Sequence, residues 1–184
     1  MHEKEPHKIF GIGMERTGTA TLIRALSILG ISALHRAPYV LGVIETEKKL
    51  GVRPLLTLGY QAYADHPIPE LYQELDGYYP KAKFIATFRD FDSWFKSKLS
   101  YYAWDKKMVE GVAGISPERV KQSRKTCLPM HTNHYNTVKS YFKDRPDDLL
   151  TIDFTRGEGW KELCGFLNIE VPKVDFPWCH KTRW

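Results

Sequence analysis

The chain has 184 residues, 42% of them hydrophobic, and a formal net charge of +5, enough for one domain with a full core. No apolar run is long enough to cross a membrane, and the charged start Met1-His-Glu-Lys-Glu-Pro-His-Lys8 is unlike a secretory signal, so a cytoplasmic protein is expected. The excess of basic charge suits an anionic partner, but Lys and Arg are interleaved with acids in most windows and no nucleic-acid motif occurs, so a small ligand rather than nucleic acid is expected.

The first element is the most informative. In Lys8-Ile-Phe-Gly-Ile-Gly-Met-Glu-Arg-Thr-Gly-Thr-Ala-Thr-Leu22 an apolar strand, near Lys8–Gly13, runs into a Gly/Thr-rich turn and then into a helix near Gly18–Leu29. Glycine at 13 and 18 lets successive backbone N–H groups turn toward an anion, and the helix adds unpaired N–H groups and the positive end of its dipole. A nucleoside-triphosphate loop reads G-x-x-x-x-G-K-[ST]. Gly13 to Gly18 has that spacing, but Thr19-Ala20 stands where the lysine and the magnesium-binding hydroxyl belong, and the cation is instead Arg16 within the loop. The pattern suits a 5′-phosphoryl group other than a magnesium-bound triphosphate.

A strand near Ile31–His35 and a helix near Tyr39–Leu50 follow. Ala62-Tyr-Ala-Asp-His-Pro-Ile-Pro-Glu70 carries a weaker strand signal before Asp65 and a helix start near Ile68. Lys83-Phe-Ile-Ala-Thr-Phe-Arg-Asp90 reads as a buried parallel strand that delivers Arg89 to its carboxyl edge, where open α/β sheets bind ligands. Asp90 or Asp92 can cap the next helix, near Ser93–Met108, in which Phe95, Leu99 and Tyr102 form an expected core stripe while Ser93, Ser97 and Ser100 share another face. Ser116-Pro117 starts a long helix that Pro129 should kink or break, and a strand at Leu149–Asp153 and a helix at Glu158–Leu167 complete the chain. This alternation argues an α/β fold with a parallel sheet covered on both faces. Cys127, Cys164 and Cys179 form no C-x-x-C pair, so neither a disulfide framework nor a zinc site is indicated.

The segment Gly13-Met-Glu-Arg-Thr-Gly-Thr-Ala-Thr-Leu22 resembles the 5′-phosphosulfate loop of the sulfotransferases, approximately G-x-P-[KR]-[ST]-G-T-[TS]-x-L, with Glu15 in place of the usual proline. The resemblance implies a three-layer sandwich with a central parallel sheet, in the P-loop-like sulfotransferase architecture of short bacterial-type members. It implies a metal-free enzyme using 3′-phosphoadenosine 5′-phosphosulfate (PAPS), whose 5′-phosphosulfate is gripped by Glu15, Arg16, Thr17, Gly18, Thr19, Ala20 and Thr21. The family holds the 3′-phosphate with an arginine ending a strand and a serine eight residues later; Arg89 and Ser97 have that spacing.

Where relatives carry K-T-H-x-P with the histidine as general base, Asp65 stands in the histidine's register relative to Pro67, and His66 is one place later. Either residue can do the chemistry. An ordinary aspartate titrates near 4, so it would need partial burial, with Tyr63, Pro67 and Pro69 as the apolar wall, to raise its pKa. Leu149-Leu-Thr-Ile-Asp-Phe-Thr-Arg-Gly-Glu-Gly-Trp160, Leu163-Cys-Gly-Phe-Leu-Asn168 and Val171-Pro look like the family's last strand and helix, after which a basic loop covers the 3′-phosphate. Lys181 and Arg183 are its candidates, although no R-K-G triplet is present.

The partner implied is a small-molecule acceptor with a hydroxyl or amine. Its identity and the oligomeric state are not legible, although Phe91, Trp94, Tyr101, Tyr102 and Trp104 lie near the expected site. Two other classes share the pattern: a small-molecule or nucleotide kinase with a degenerate loop, and a non-catalytic nucleotide-binding protein.

Overall fold

The computed structural model describes residues 7–110 and 116–179, with side chains described except at 103–110. Lys181, Arg183 and the Trp104 side chain, named above, lie outside the described residues. The described residues fall into two compact units, one drawn from 1–88 and 145–184, the other from 89–144.

The first unit is built on five parallel strands, β1 (Ile9–Gly11), β2 (Ala33–His35), β3 (Ala62–Ala64), β4 (Lys83–Thr87) and β5 (Leu149–Ile152), in the spatial order β2-β3-β1-β4-β5. Its helices are α1 (Thr19–Ile28), α2 (Val40–Lys49), α3 (Ile68–Tyr78) and, numbered in chain order, α6 (Trp160–Leu167). Side-chain alternation explains the two covered faces. Ile9, Ala62, Ala64, Ile85 and Ile152 face one way and join Leu22, Ile23, Ala25 and Leu26 of α1 with Trp160, Leu163 and Cys164 of α6 in a single buried cluster. Phe10, Tyr63 and Phe84 alternate with them, and Phe10 packs its ring against Tyr63, Phe84 and Tyr79. This is an α/β fold with helices over a central parallel sheet, as the alternation of elements predicts.

Two polar clamps hold loops to this frame. Buried Glu47 on α2 accepts from the Thr57 amide and hydroxyl, both at 2.7 Å, and from the Leu55 amide. Asp76 on α3 takes a bidentate pair from Arg145, at 3.1 and 2.7 Å. Each places a carboxylate where several donors converge, the arrangement that makes burial of a charge tolerable.

The second unit holds α4 (Phe91–Glu110) and α5 (Pro117–Tyr141). Asp90 caps α4, its Oδ1 accepting from Ser93 N at 3.0 Å, whereas Asp92 sits in the first turn and pairs with Arg124. Among the described side chains of α4 the buried ones are Trp94, Phe95 and Ser97; Tyr102 is 43% exposed, so the expected stripe does not extend to it. α5 begins as its sequence requires, with Ser116 Oγ accepting from Arg119 N and Pro117 at the first helical position. Contrary to expectation the helix runs through Pro129. Both Pro129 and Lys125, whose carbonyl loses its i+4 donor, are exposed, so water can take the place of the missing bond. No helix among the described residues is long and apolar enough to cross a membrane.

Candidate active site

The loop between β1 and α1 is fixed by close packing at one end and a turn at the other. A Cβ on Gly13 would meet Thr87 N at 2.6 Å, because the loop leaves β1 against the end of β4. Gly18 has φ +108°, and a Cβ there would lie 2.7 Å from the Phe154 ring. Between them Thr17 Oγ1 donates to Met14 O at 2.6 Å and shares a 2.6 Å hydrogen bond with Thr87 Oγ1, while Arg16 takes a left-handed conformation at φ +66°. The turn is thus tied to two strands before any ligand arrives. Gly13→Ala should destabilise the fold by about 1–3 kcal/mol, the range for overpacking a tight site. A denaturation midpoint equal to that of the unaltered protein would contradict this packing.

The N-terminus of α1 has no side-chain cap, and no acidic residue lies in its first turn. The hydroxyls of its first turn point elsewhere. Thr19 Oγ1 lies 3.0 Å from His35 Nε2, and Thr21 Oγ1 accepts from Cys179 N at 3.2 Å. Of the residues assigned to the phosphosulfate, Thr17, Thr19 and Thr21 therefore commit their hydroxyls to protein partners, and Gly18, Thr19, Ala20 and Thr21 have their backbone N–H groups to offer at the dipole's positive end. Glu15 and Arg16 are half-buried in the loop.

Asp65 follows β3 directly, at the carboxyl edge of the sheet, with φ +71°. It is buried. Its Oδ1 accepts from His66 N at 2.7 Å, and its Oδ2 lies 3.2 Å from His35 Nε2 and accepts from Thr19 Oγ1 at 3.4 Å. Burial alone would push the carboxyl up, but the hydrogen bonds from His35 and the His66 amide and the charge of Arg36 outweigh it and hold Asp65 below the usual carboxylate range. This corrects the expectation of a raised pKa. The turn is the reason: Asp65 leaves β3 at φ +71°, outside the alternation that would set it beside Tyr63, and its oxygens meet donors, while the Tyr63 hydroxyl donates to Leu55 O at 3.0 Å. His66 turns away, exposed, with Nδ1 3.2 Å from Glu70 Oε1.

His35 carried no motif in the sequence. It ends β2, in register with Ala64 of β3, and that register is what sets its ring beside Asp65. A histidine ending a parallel strand beside an aspartate ending its neighbour is a readable signal only once the strand order is known.

In the second unit Arg89 Nε donates to Ser93 Oγ at 2.8 Å, and Ser97, one turn further along α4, is buried. A second residue without a sequence signal is His131 of α5. It is buried among the rings of Phe91, Trp94 and Tyr135, and its Nε2 lies 3.0 Å from Arg89 O, pinning the backbone that carries the guanidinium. Burial pushes its imidazole below the ordinary histidine value, against the opposite pull of the Arg89 carbonyl. A lowered folded-state pKa means the unfolded chain takes up the proton first. The stability this neutral ring confers is therefore complete above pH about 6.5 and is lost as pH falls from there through the lowered value. His131→Phe should flatten this part of the pH dependence of the melting temperature; an unchanged slope would show that another group sets it.

Trp94 is fully buried and Phe91 stacks on Phe95, so these two rings serve the core of their unit.

A sulfotransferase-domain family model matches residues 8–105 and 98–183, and the chain belongs to that family. It is also similar to "Ava biosynthesis cluster protein M" of Aspergillus versicolor, at 26% identity over 211 residues that cover 92% of this chain and 79% of that protein.

Proposed function

We propose that the protein is a PAPS-dependent sulfotransferase that moves a sulfuryl group onto a hydroxyl or amine of a small acceptor. The observation that carries the reading is the loop at Gly13–Thr19. It is braced by Thr17 and Thr87, ends on a helix without a side-chain cap, and lacks the lysine and hydroxyl of a triphosphate loop. Such a turn suits a sulfated 5′-phosphate, and the family membership supports that choice of ligand.

PAPS would bring the activated sulfuryl group. The resemblance gives its 5′-phosphosulfate to Glu15, Arg16, Thr17, Gly18, Thr19, Ala20 and Thr21, and its 3′-phosphate to Arg89, Ser97 and the C-terminal Lys181 and Arg183. Arg16 and the loop amides would stabilise charge building on the bridging oxygen as the sulfur–oxygen bond breaks, a preorganised-donor effect. Asp65 belongs to the proton-handling group at the sheet edge; His66, paired with Glu70, is the weaker candidate.

The test is release of adenosine 3′,5′-bisphosphate from PAPS with a pool of simple phenols and alcohols. Arg16→Ala should lower turnover about 100- to 1,000-fold, the cost of removing one such donor in other enzymes, and should affect binding less. Turnover equal to the unaltered protein would take Arg16 out of the mechanism.

A further inference from the structure

We infer that His35 takes the acceptor's proton, with Asp65 as its positioning partner. The inference rests on the sulfotransferase reading above and assigns within it a residue that neither motif nor spacing had picked out. Three elements converge on the ring. His35 ends β2, Asp65 follows β3, and Thr19 opens α1. Nε2 lies 3.0 Å from Thr19 Oγ1 and 3.2 Å from Asp65 Oδ2, and Thr19 Oγ1 lies 3.4 Å from the same carboxylate oxygen.

With the ring neutral, only one arrangement of protons satisfies all three contacts. An ionised carboxylate accepts and never donates, so the Thr19 hydroxyl gives its hydrogen to Oδ2 and Nε2 carries the imidazole's hydrogen, shared between Oγ1 and Oδ2. Neutral His35 then has a lone pair on Nδ1. That nitrogen has no partner among the described residues, and the side chain is 34% exposed, so an acceptor molecule can reach it.

Asp65 is poorly suited to the same task. Its oxygens already accept from the His66 amide, His35 and Thr19, and those donors favour its charged form. Imidazole is also the stronger base by about 2.6 pH units in ordinary values. The ring stands one hydrogen bond from the first residue of α1, the turn proposed to hold the 5′-phosphosulfate.

In the step itself, the acceptor oxygen's lone pair forms the new oxygen–sulfur bond as its hydrogen passes to Nδ1. The bond from sulfur to the 5′-phosphate oxygen breaks, and its electron pair leaves with adenosine 3′,5′-bisphosphate. The imidazolium that results keeps its Nε2–H on Asp65, which stabilises the charge. Arg36, exposed and next in the chain, is a further charged group near the pair and favours the ionised form of Asp65.

Two readouts test this. Long-range proton–nitrogen NMR of histidine-labelled protein saturated with adenosine 3′,5′-bisphosphate should show neutral His35 with its hydrogen on Nε2, and Asp65→Asn should weaken that preference. In transfer from PAPS to pooled simple phenols and alcohols, His35→Gln should lower kcat about 100- to 10,000-fold with bisphosphate affinity unchanged. The decline of kcat/KM toward acid pH in the unaltered protein should be missing from the residual activity of that variant. A neutral His35 with its hydrogen on Nδ1, or a His35→Gln variant that keeps kcat or the acid decline, overturns the inference; if the pool supports no transfer, the tautomer alone decides. Failure of the unaltered protein to bind the bisphosphate would instead bring down the sulfotransferase reading beneath it.

Discussion

Asp65→Asn should lower sulfuryl transfer by about two to four orders of magnitude, the range for loss of proton-transfer catalysis, while affinity for adenosine 3′,5′-bisphosphate stays intact. The side chain is nearly isosteric, so the packing at the end of β3 should survive. What disappears is the negative charge. Without it an imidazolium at His35 loses its counter-charge, and the amide's own N–H can donate to His35 Nε2 and favour the opposite tautomer. The substitution also removes a carboxylate whose pKa is lowered on folding. Its contribution to stability is present above the ordinary carboxylate range and lost as pH falls through the lowered value, so the variant's stability should change less below pH about 4. His66→Asn should be milder, because that ring is exposed and pairs with Glu70 rather than with the carboxylate. Full activity in the Asp65 variant would show that the acceptor is activated elsewhere.

Arg89→Ala should erase most of the preference for adenosine 3′,5′-bisphosphate over AMP. A hydrogen bond between charged groups contributes about 1.5–3 kcal/mol, so the bisphosphate should lose about 10- to 100-fold in affinity while AMP binding changes little. Arg89 is oriented from two sides. Ser93 Oγ accepts from Nε, and His131 Nε2 lies within hydrogen-bond distance of its carbonyl. Ser93→Ala, which removes the orienting partner but keeps the cation, should fall between the unaltered protein and Arg89→Ala. Equal losses for both nucleotides in Arg89→Ala would mean that the guanidinium does not read the 3′-phosphate.

The fold was legible because its signals are local. Each of the five strands is a short apolar or mixed run ahead of a helix, and the glycines of the first loop mark its turn; the structure supplies the reason for both, the approach of Thr87 to Gly13 and the φ of +108° at Gly18. Asp65 follows β3, which ends at Ala64, and Arg89 comes two residues after β4, which ends at Thr87. What stayed hidden depends on strand order and on helix faces. His35 reaches Asp65 only because β2 and β3 are neighbours in parallel register. His131 lies on a helix that is polar along most of its length, and it shares its buried face with only Cys127 and Val138, too few apolar residues to mark the face in the sequence. The environment of Asp65 was not readable from the strand pattern. A period of two would set Asp65 on the face of Tyr63, but β3 ends at Ala64 and Asp65 turns at φ +71°, which brings its carboxylate to His35 and Thr19 instead.

The central claim, that the cofactor is an adenosine nucleotide bearing a 3′-phosphate, is tested most directly by calorimetric titration of the protein with adenosine 3′,5′-bisphosphate, AMP and magnesium-ATP under one set of conditions. The account predicts that the bisphosphate binds at least about tenfold more tightly than AMP, from the charge-assisted contacts assigned to its 3′-phosphate, and that magnesium-ATP does not displace it. Equal affinity for AMP and the bisphosphate, or tighter binding of magnesium-ATP than of either, would contradict it.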